Sequence, residues 1–148
     1  MSQTQTPEPE RQLLLCALGV EWYGFDLSQV TGVINTGDVT PVPGAPAHIL
    51  GVQNVQGRLL AILDTAGYLG LASSGTSRHV VVLRQAGVDL GCLVDGVVDI
   101  VAVGRDRLQE PLAAIQGRRR VVSAQVRLGE RLVGLLDMEA LITEVTGG

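Results

Sequence analysis

The chain has 148 residues, of which 18% are charged, 3% aromatic and 19 glycine. Leu, Val and Ile make up close to a third of it, enough aliphatic side chain for a core and too much for a disordered chain. The net charge is −4 and the one basic cluster is Arg118, Arg119 and Arg120, so a nucleic-acid partner, which needs a concentrated basic surface, is not expected.

Residues 1–12 are polar and carry Pro7 and Pro9, which predicts a flexible tail and not a signal peptide. Residues 13–18 form a continuous apolar run, too short for a core helix and suited to a buried strand. Gly19, Val20 and Glu21 make a turn, residues 22–27 resume, and Val30, Val33 and Ile34 follow. The longest uncharged stretch, 39–57, holds Pro41, Pro43 and Pro46 with His48, Gln53, Asn54 and Gln56, so it predicts no membrane span. Residues 57–64 run from a glycine turn through aliphatics to Leu63-Asp64, and Asp64 is placed to cap one helical turn. Ser73, Ser74, Gly75, Thr76 and Ser77 read as an internal linker. Apolar runs return at 80–83 and 90–94, followed by Val97, Val98, Ile100 and Val101. Val122, Ala124, Val126 and Leu128 alternate with polar residues, the pattern of a half-buried strand. Asp137 is placed to cap a C-terminal helix through Met138, Leu141 and Ile142.

These segments repeat. Residues 13–34 and 80–101 share one layout at an offset of 67, from Gly24 to Gly91. Residues 57–64 and 129–137 share another, each ending at Leu-Asp, at an offset of 73 from Asp64 to Asp137. Short β-branched segments punctuated by glycine, in the order A, B, A′, B′, predict an all-β chain of two lobes.

Few residues suggest chemistry. Cys16 and Cys92 sit in apolar runs and read as small buried hydrophobes, not a disulfide scaffold or a zinc site. His48 and His79 lie far apart with no ligand at metal spacing, so no metal and no cofactor are expected. The run Leu63-Asp64-Thr65-Ala66-Gly67 is similar to the catalytic loop of aspartic proteases, with Asp137 as a second carboxylate. Ala66 displaces the glycine, and the second loop, Asp137-Met138-Glu139, lacks both Thr and Gly. Helix capping explains both carboxylates more simply, and a small hydrolase is only a distant alternative. Arg118 to Arg120 read as a solvated hairpin tip. Trp22 and Tyr23 read as core or lobe-interface filling.

The order and spacing of several pieces resemble the chemotaxis coupling proteins, the CheW-like family. They are Leu18-Gly19 with Tyr23-Gly24-Phe25-Asp26, Val30-Thr31-Gly32-Val33, Thr40-Pro41-Val42-Pro43-Gly44-Ala45-Pro46 and Gly51-Val52-Gln53-Asn54-Val55-Gln56-Gly57. Leu60-Ala61-Ile62-Leu63-Asp64, Gly91-Cys92-Leu93-Val94-Asp95-Gly96-Val97 and Leu135-Leu136-Asp137 complete the set. The resemblance implies two interlocked five-stranded SH3-like β-barrels with short helices, one at the C-terminus, in a single domain over 13–146. It implies a non-enzymatic cytoplasmic adaptor, recruited to membrane receptor arrays without inserting in the membrane. The adaptor would link the tips of transmembrane chemoreceptors to the regulatory domain of a CheA-like histidine kinase. A coupling-like adaptor of another pathway, such as twitching or gliding motility or gene regulation, is the alternative. Ending at Gly148, the chain has no room for a following receiver domain, so a stand-alone adaptor is expected.

By position in the family pattern, Val30, Val33, Val80, Leu90 and Val97 are expected to line the receptor groove. Gly51, Asn54, Gln56 and Arg58 are expected to meet the kinase. Two departures stand out. The family's Asn-Leu-Arg-Gly is Asn54-Val55-Gln56-Gly57 here, and a Glu common two residues before the second groove aliphatic is missing from Val30-Thr31-Gly32-Val33. Arg58, two residues from Gln56, is expected to share its face if both lie on one strand, and to replace the lost charge in part.

Overall fold

The computed structural model describes residues 10–72, 78–111 and 121–147. The ten strands among them are β1 (Glu10–Leu18), β2 (Glu21–Asp26), β3 (Val30–Asn35), β4 (Ile49–Val55), β5 (Arg58–Leu63), β6 (His79–Gln85), β7 (Val88–Val94), β8 (Gly96–Gly104), β9 (Val122–Leu128) and β10 (Arg131–Leu136). One helical turn, α1 (Thr65–Tyr68), follows β5, and a longer helix, α2 (Met138–Gly147), follows β10. The expected linker at 73–77 and the cluster Arg118, Arg119 and Arg120 lie outside the described residues, as does most of the expected tail. The last three residues of that tail are not tail at all. Glu10, Arg11 and Gln12 open β1 and pair with Gly104, Val103 and Ala102.

The strands form two five-stranded sheets, in the orders β8-β1-β2-β10-β9 and β3-β6-β7-β5-β4. Each sheet takes two strands from one repeat and three from the other, so the halves are interlocked. Four pairings join the repeats, the antiparallel β1 with β8 and β3 with β6 and the parallel β2 with β10 and β5 with β7. Gly24 stands opposite Leu135, and Gly91 opposite Ile62. Those partners differ by the same 67 and 73 residues that separate the sequence repeats. Beyond β3 the chain bridges to β4, the far edge of its own sheet, through Thr40 and Val52 (N–H to carbonyl 2.8 and 2.9 Å). Beyond β8 it bridges to β9 through Gln109 and Gln125 (2.9 Å both ways). Each sheet therefore curls until its two edges meet, closing a small barrel.

The continuous apolar runs have a physical reason. In β1, Leu13 and Leu15 point into the first barrel with Val103, Val126, Val133 and Leu135. Leu14, Cys16 and Leu18 point the other way, into a larger core shared with Leu63, Val81, Leu83, Leu90 and Cys92 of the second sheet. A strand buried on both faces has no polar alternation to show. Burial in this shared core pushes the Cys16 and Cys92 thiols up to about 12. Helix α2 closes the shared core with Met138, Leu141, Ile142 and Val145, one face at helical spacing. Both helices start where expected. Asp64 Oδ1 accepts the Gly67 N–H at 3.1 Å and Asp137 Oδ1 accepts the Ala140 N–H at 3.2 Å, so these carboxylates serve as paired N-caps.

Candidate functional site

The outer edges β3 and β8 carry exposed aliphatics. Val33 is 41% exposed on β3, and on β8 Val97 and Ile100 are 39% and 52% exposed. Both edges are bulged at equivalent places. Thr31 has no partner residue on β6 and Val98 none on β1, which turns the flanking side chains outward. Val30 matches Val97 across the repeat and Val33 matches Ile100. Val30 itself leans partly on the shared core.

Of the five expected groove residues, Val30, Val33 and Val97 keep accessible surface, and Val80 and Leu90 keep none. This corrects the sequence reading. Val80 packs inside the second barrel against Leu60 and Ile62, and Leu90 inside the shared core. A side chain already covered by its own chain has no apolar area left for a partner. Ile100, the most exposed aliphatic of β8, was legible in the sequence as the repeat mate of Val33.

The expected kinase-facing residues lie around the β4–β5 hairpin. Asn54 accepts the Gly57 N–H at 2.9 Å, and Gln56 and Gly57 both take positive φ, 53° and 85°. That is a two-residue turn of the kind whose twist suits antiparallel strands. Gln56 therefore sits on the turn and not on a strand, so the strand-face relation expected between Gln56 and Arg58 does not hold. Gly51 is buried beneath the Thr40–Pro41 backbone, where a Cβ would overlap the Thr40 carbonyl. It shapes this crossing and offers no side chain to a partner.

Gln56 and Arg58 nevertheless line one cleft of about 350 Å³. Its other walls include Thr31 and Gly32, so both departures from the family pattern lie on the same cleft. Ile34, Val55, Leu60 and Val82 form its floor, which is the open end of the second barrel. At the rim, Arg84 grips Asp89 with Nε at 2.7 Å and Nη2 at 3.1 Å, while Arg58 reaches the same carboxylate at 3.4 Å. The Arg84 hydrogen bonds, opposed by some desolvation, hold Asp89 below its ordinary range. The sequence reading missed Asp89, Arg84 and the 71%-exposed Leu59; Arg84 and Asp89 face each other across the β6–β7 hairpin, and the parallel β5–β7 pairing between the repeats brings Arg58 and Leu59 beside them.

His48 lies edge-on to Tyr68 with ring centres 5.7 Å apart. Among the described residues no three His, Cys, Asp or Glu side chains are grouped to hold a metal ion, and no helix is long and apolar enough to cross a membrane. The surfaces gathered here present apolar edges and a charged rim, features suited to docking.

A family model described as the CheW-like domain matches residues 12–146. The probable chemotaxis protein CheW of Rhizobium etli is 30% identical over 139 residues, 91% of this chain and 89% of that protein. The chemotaxis protein CheW of Rhizobium meliloti is 31% identical over 134 residues, 88% and 86% of the two chains. Protein PilI of Pseudomonas aeruginosa is 31% identical over 101 residues, 67% of this chain and 57% of that one. The crystal structure of the scaffolding protein TtCheW from Thermoanaerobacter tengcongensis superposes with a TM-score of 0.79 at 19% identity, covering 92% of this chain and 89% of that one. That likeness establishes the SH3-like double-barrel fold.

Proposed function

The chain belongs to the CheW-like family, and from that premise we propose that it is a non-enzymatic adaptor joining the tips of transmembrane chemoreceptors to the regulatory domain of a CheA-like histidine kinase. The reading places it in the cytoplasm, recruited to receptor arrays by contact and not by membrane insertion. The observation that carries it is the pair of apolar edges, Val30 and Val33 on β3 with Val97 and Ile100 on β8. Aliphatics without polar neighbours to satisfy gain about 25 cal/mol per Å² when a receptor helix covers them. The hairpin of Asn54, Gln56 and Arg58, with the cleft behind it, is the kinase-facing surface. It stands on other residues than the apolar edges, as an adaptor with two partners requires.

A second reading keeps the adaptor and changes the pathway to twitching or gliding motility or gene regulation. It draws on the likeness to protein PilI. Co-purification from the native cell decides between them by the kinase recovered. The adaptor reading itself is tested by titration calorimetry with the kinase regulatory domain and with a soluble receptor-tip hairpin. Saturable binding of both is expected, and binding of neither would overturn it.

A further inference from the structure

The two barrels are internal copies, so each position has a counterpart that shows what the other lacks. Residues 22 and 89 correspond at the offset of 67, and residues 58 and 131 at the offset of 73. In the first barrel Trp22 packs on the core of Leu13, Leu15, Val126, Val133 and Leu135, and the Arg131 guanidinium lies 3.9 Å above its ring. In the second barrel the indole position is Asp89 and the stacking arginine is Arg58. The buried core there is smaller: among the described residues it consists of Leu60, Ile62 and Val80. The counterpart of Val126 is the polar Gln53. The cleft of about 350 Å³ opens at this mouth, near the lower end of ligand-pocket sizes, about 300 Å³.

We propose that this cleft receives one aromatic side chain, of indole size, from a protein partner, seated on Ile34, Val55, Leu60 and Val82 beneath Arg58. The occupant is inferred from the first barrel, where the chain itself puts an indole under an arginine on an equivalent aliphatic floor. An aromatic suits the site for two reasons. It brings a large apolar face to the floor, and its ring attracts the guanidinium at the rim. Arg84 already holds Asp89 with two hydrogen bonds, at 2.7 and 3.1 Å, so Arg58, on a longer 3.4 Å contact and with its side chain 75% exposed, is the arginine that can turn onto a ring. The partner that supplies the side chain rests on the kinase-docking reading above; the cleft does not.

The first test needs no partner. N-acetyl-L-tryptophanamide is titrated into the ¹⁵N-labelled full chain. Saturable amide shifts are expected at Gly32, Ile34, Val55, Gln56 and Leu59, with at least about fivefold weaker binding of N-acetyl-L-leucinamide. Gly32→Leu, at a position where an added Cβ meets nothing within 4 Å, should fill the cleft and abolish the shifts. Asp89→Trp should do the same and raise the melting temperature, because the chain then supplies its own indole. Absence of saturable shifts, equal binding of the leucine amide, or shifts retained in Gly32→Leu would each overturn the cleft assignment. With the kinase regulatory domain, Gly32→Leu should weaken binding at least tenfold. Unchanged kinase affinity beside a cleft that binds the tryptophan amide would overturn the partner assignment. Failure of the parent chain to bind any kinase would sink the docking reading, and the probe result would still decide the cleft.

Discussion

The Asn54 side chain accepts the Gly57 N–H at 2.9 Å and closes the turn on which Gln56 is held at φ 53°. A left-handed backbone costs a residue that carries a Cβ about 1–2 kcal/mol. Gln56→Gly should therefore raise stability by about 0.5–1 kcal/mol, and Asn54→Ala should lower it by about 1 kcal/mol. Urea unfolding of the two variants checks both signs.

Burial separates the expected groove residues into two groups with opposite mutational signatures. Aspartate at Val80 or Leu90 would be an unpaired carboxylate in a closed core, and the loss should exceed about 4 kcal/mol. Aspartate at Val33, Val97 or Ile100 meets solvent and should cost less than about 1 kcal/mol, while receptor binding is lost. Thermal melts and a receptor pull-down on the five variants read out the division.

Thr31, Gly32 and Gln56 line one cleft, so the two departures from the family pattern are neighbours in space. Losing both charges together leaves no uncompensated charge behind. Gln56→Arg should therefore leave binding to the native kinase no tighter. It should tighten binding to a kinase whose own coupling protein keeps the arginine. Calorimetry with the two kinases checks this, and tighter binding to the native one would count against compensation.

Both thiols are pushed up to about 12 by burial, against about 8.5 for an unfolded cysteine. A raised folded value contributes stability that is present below the unfolded pKa and is lost as pH rises toward 12. The urea midpoint should fall above about pH 8.5, and fall less steeply in Cys16→Ala/Cys92→Ala. At pH 8 neither thiol should react with a disulfide reagent until the chain unfolds.

The repeat offsets in the sequence anticipated the interlocked strand pairing, because Gly24 and Gly91 meet Leu135 and Ile62 in matched register. The helix caps Asp64 and Asp137 were legible for a local reason, a carboxylate three residues before an orphan N–H. The groove was only partly legible. An apolar run such as β6 or β7 is buried on both faces, so hydrophobicity alone could not tell Val80 and Leu90 from surface aliphatics. The bulges at Thr31 and Val98, which decide what faces outward, leave no mark on composition. The barrel mouth depends on strand pairing between the repeats, which joins residues from β3, β5, β6 and β7 that no sequence window contains.

An adaptor that joins receptor to kinase must bind them through different residues. The most direct measurement is calorimetric titration of two variants, Val33→Asp and the triple alanine at Asn54, Gln56 and Arg58, each against receptor-tip hairpin and kinase regulatory domain. Val33→Asp should lose the receptor and keep the kinase. The triple variant should keep the receptor and lose more than about 1 kcal/mol of kinase affinity. Parent-like affinity of both variants for both partners, or loss of both partners in either folded variant, would contradict a two-surface adaptor.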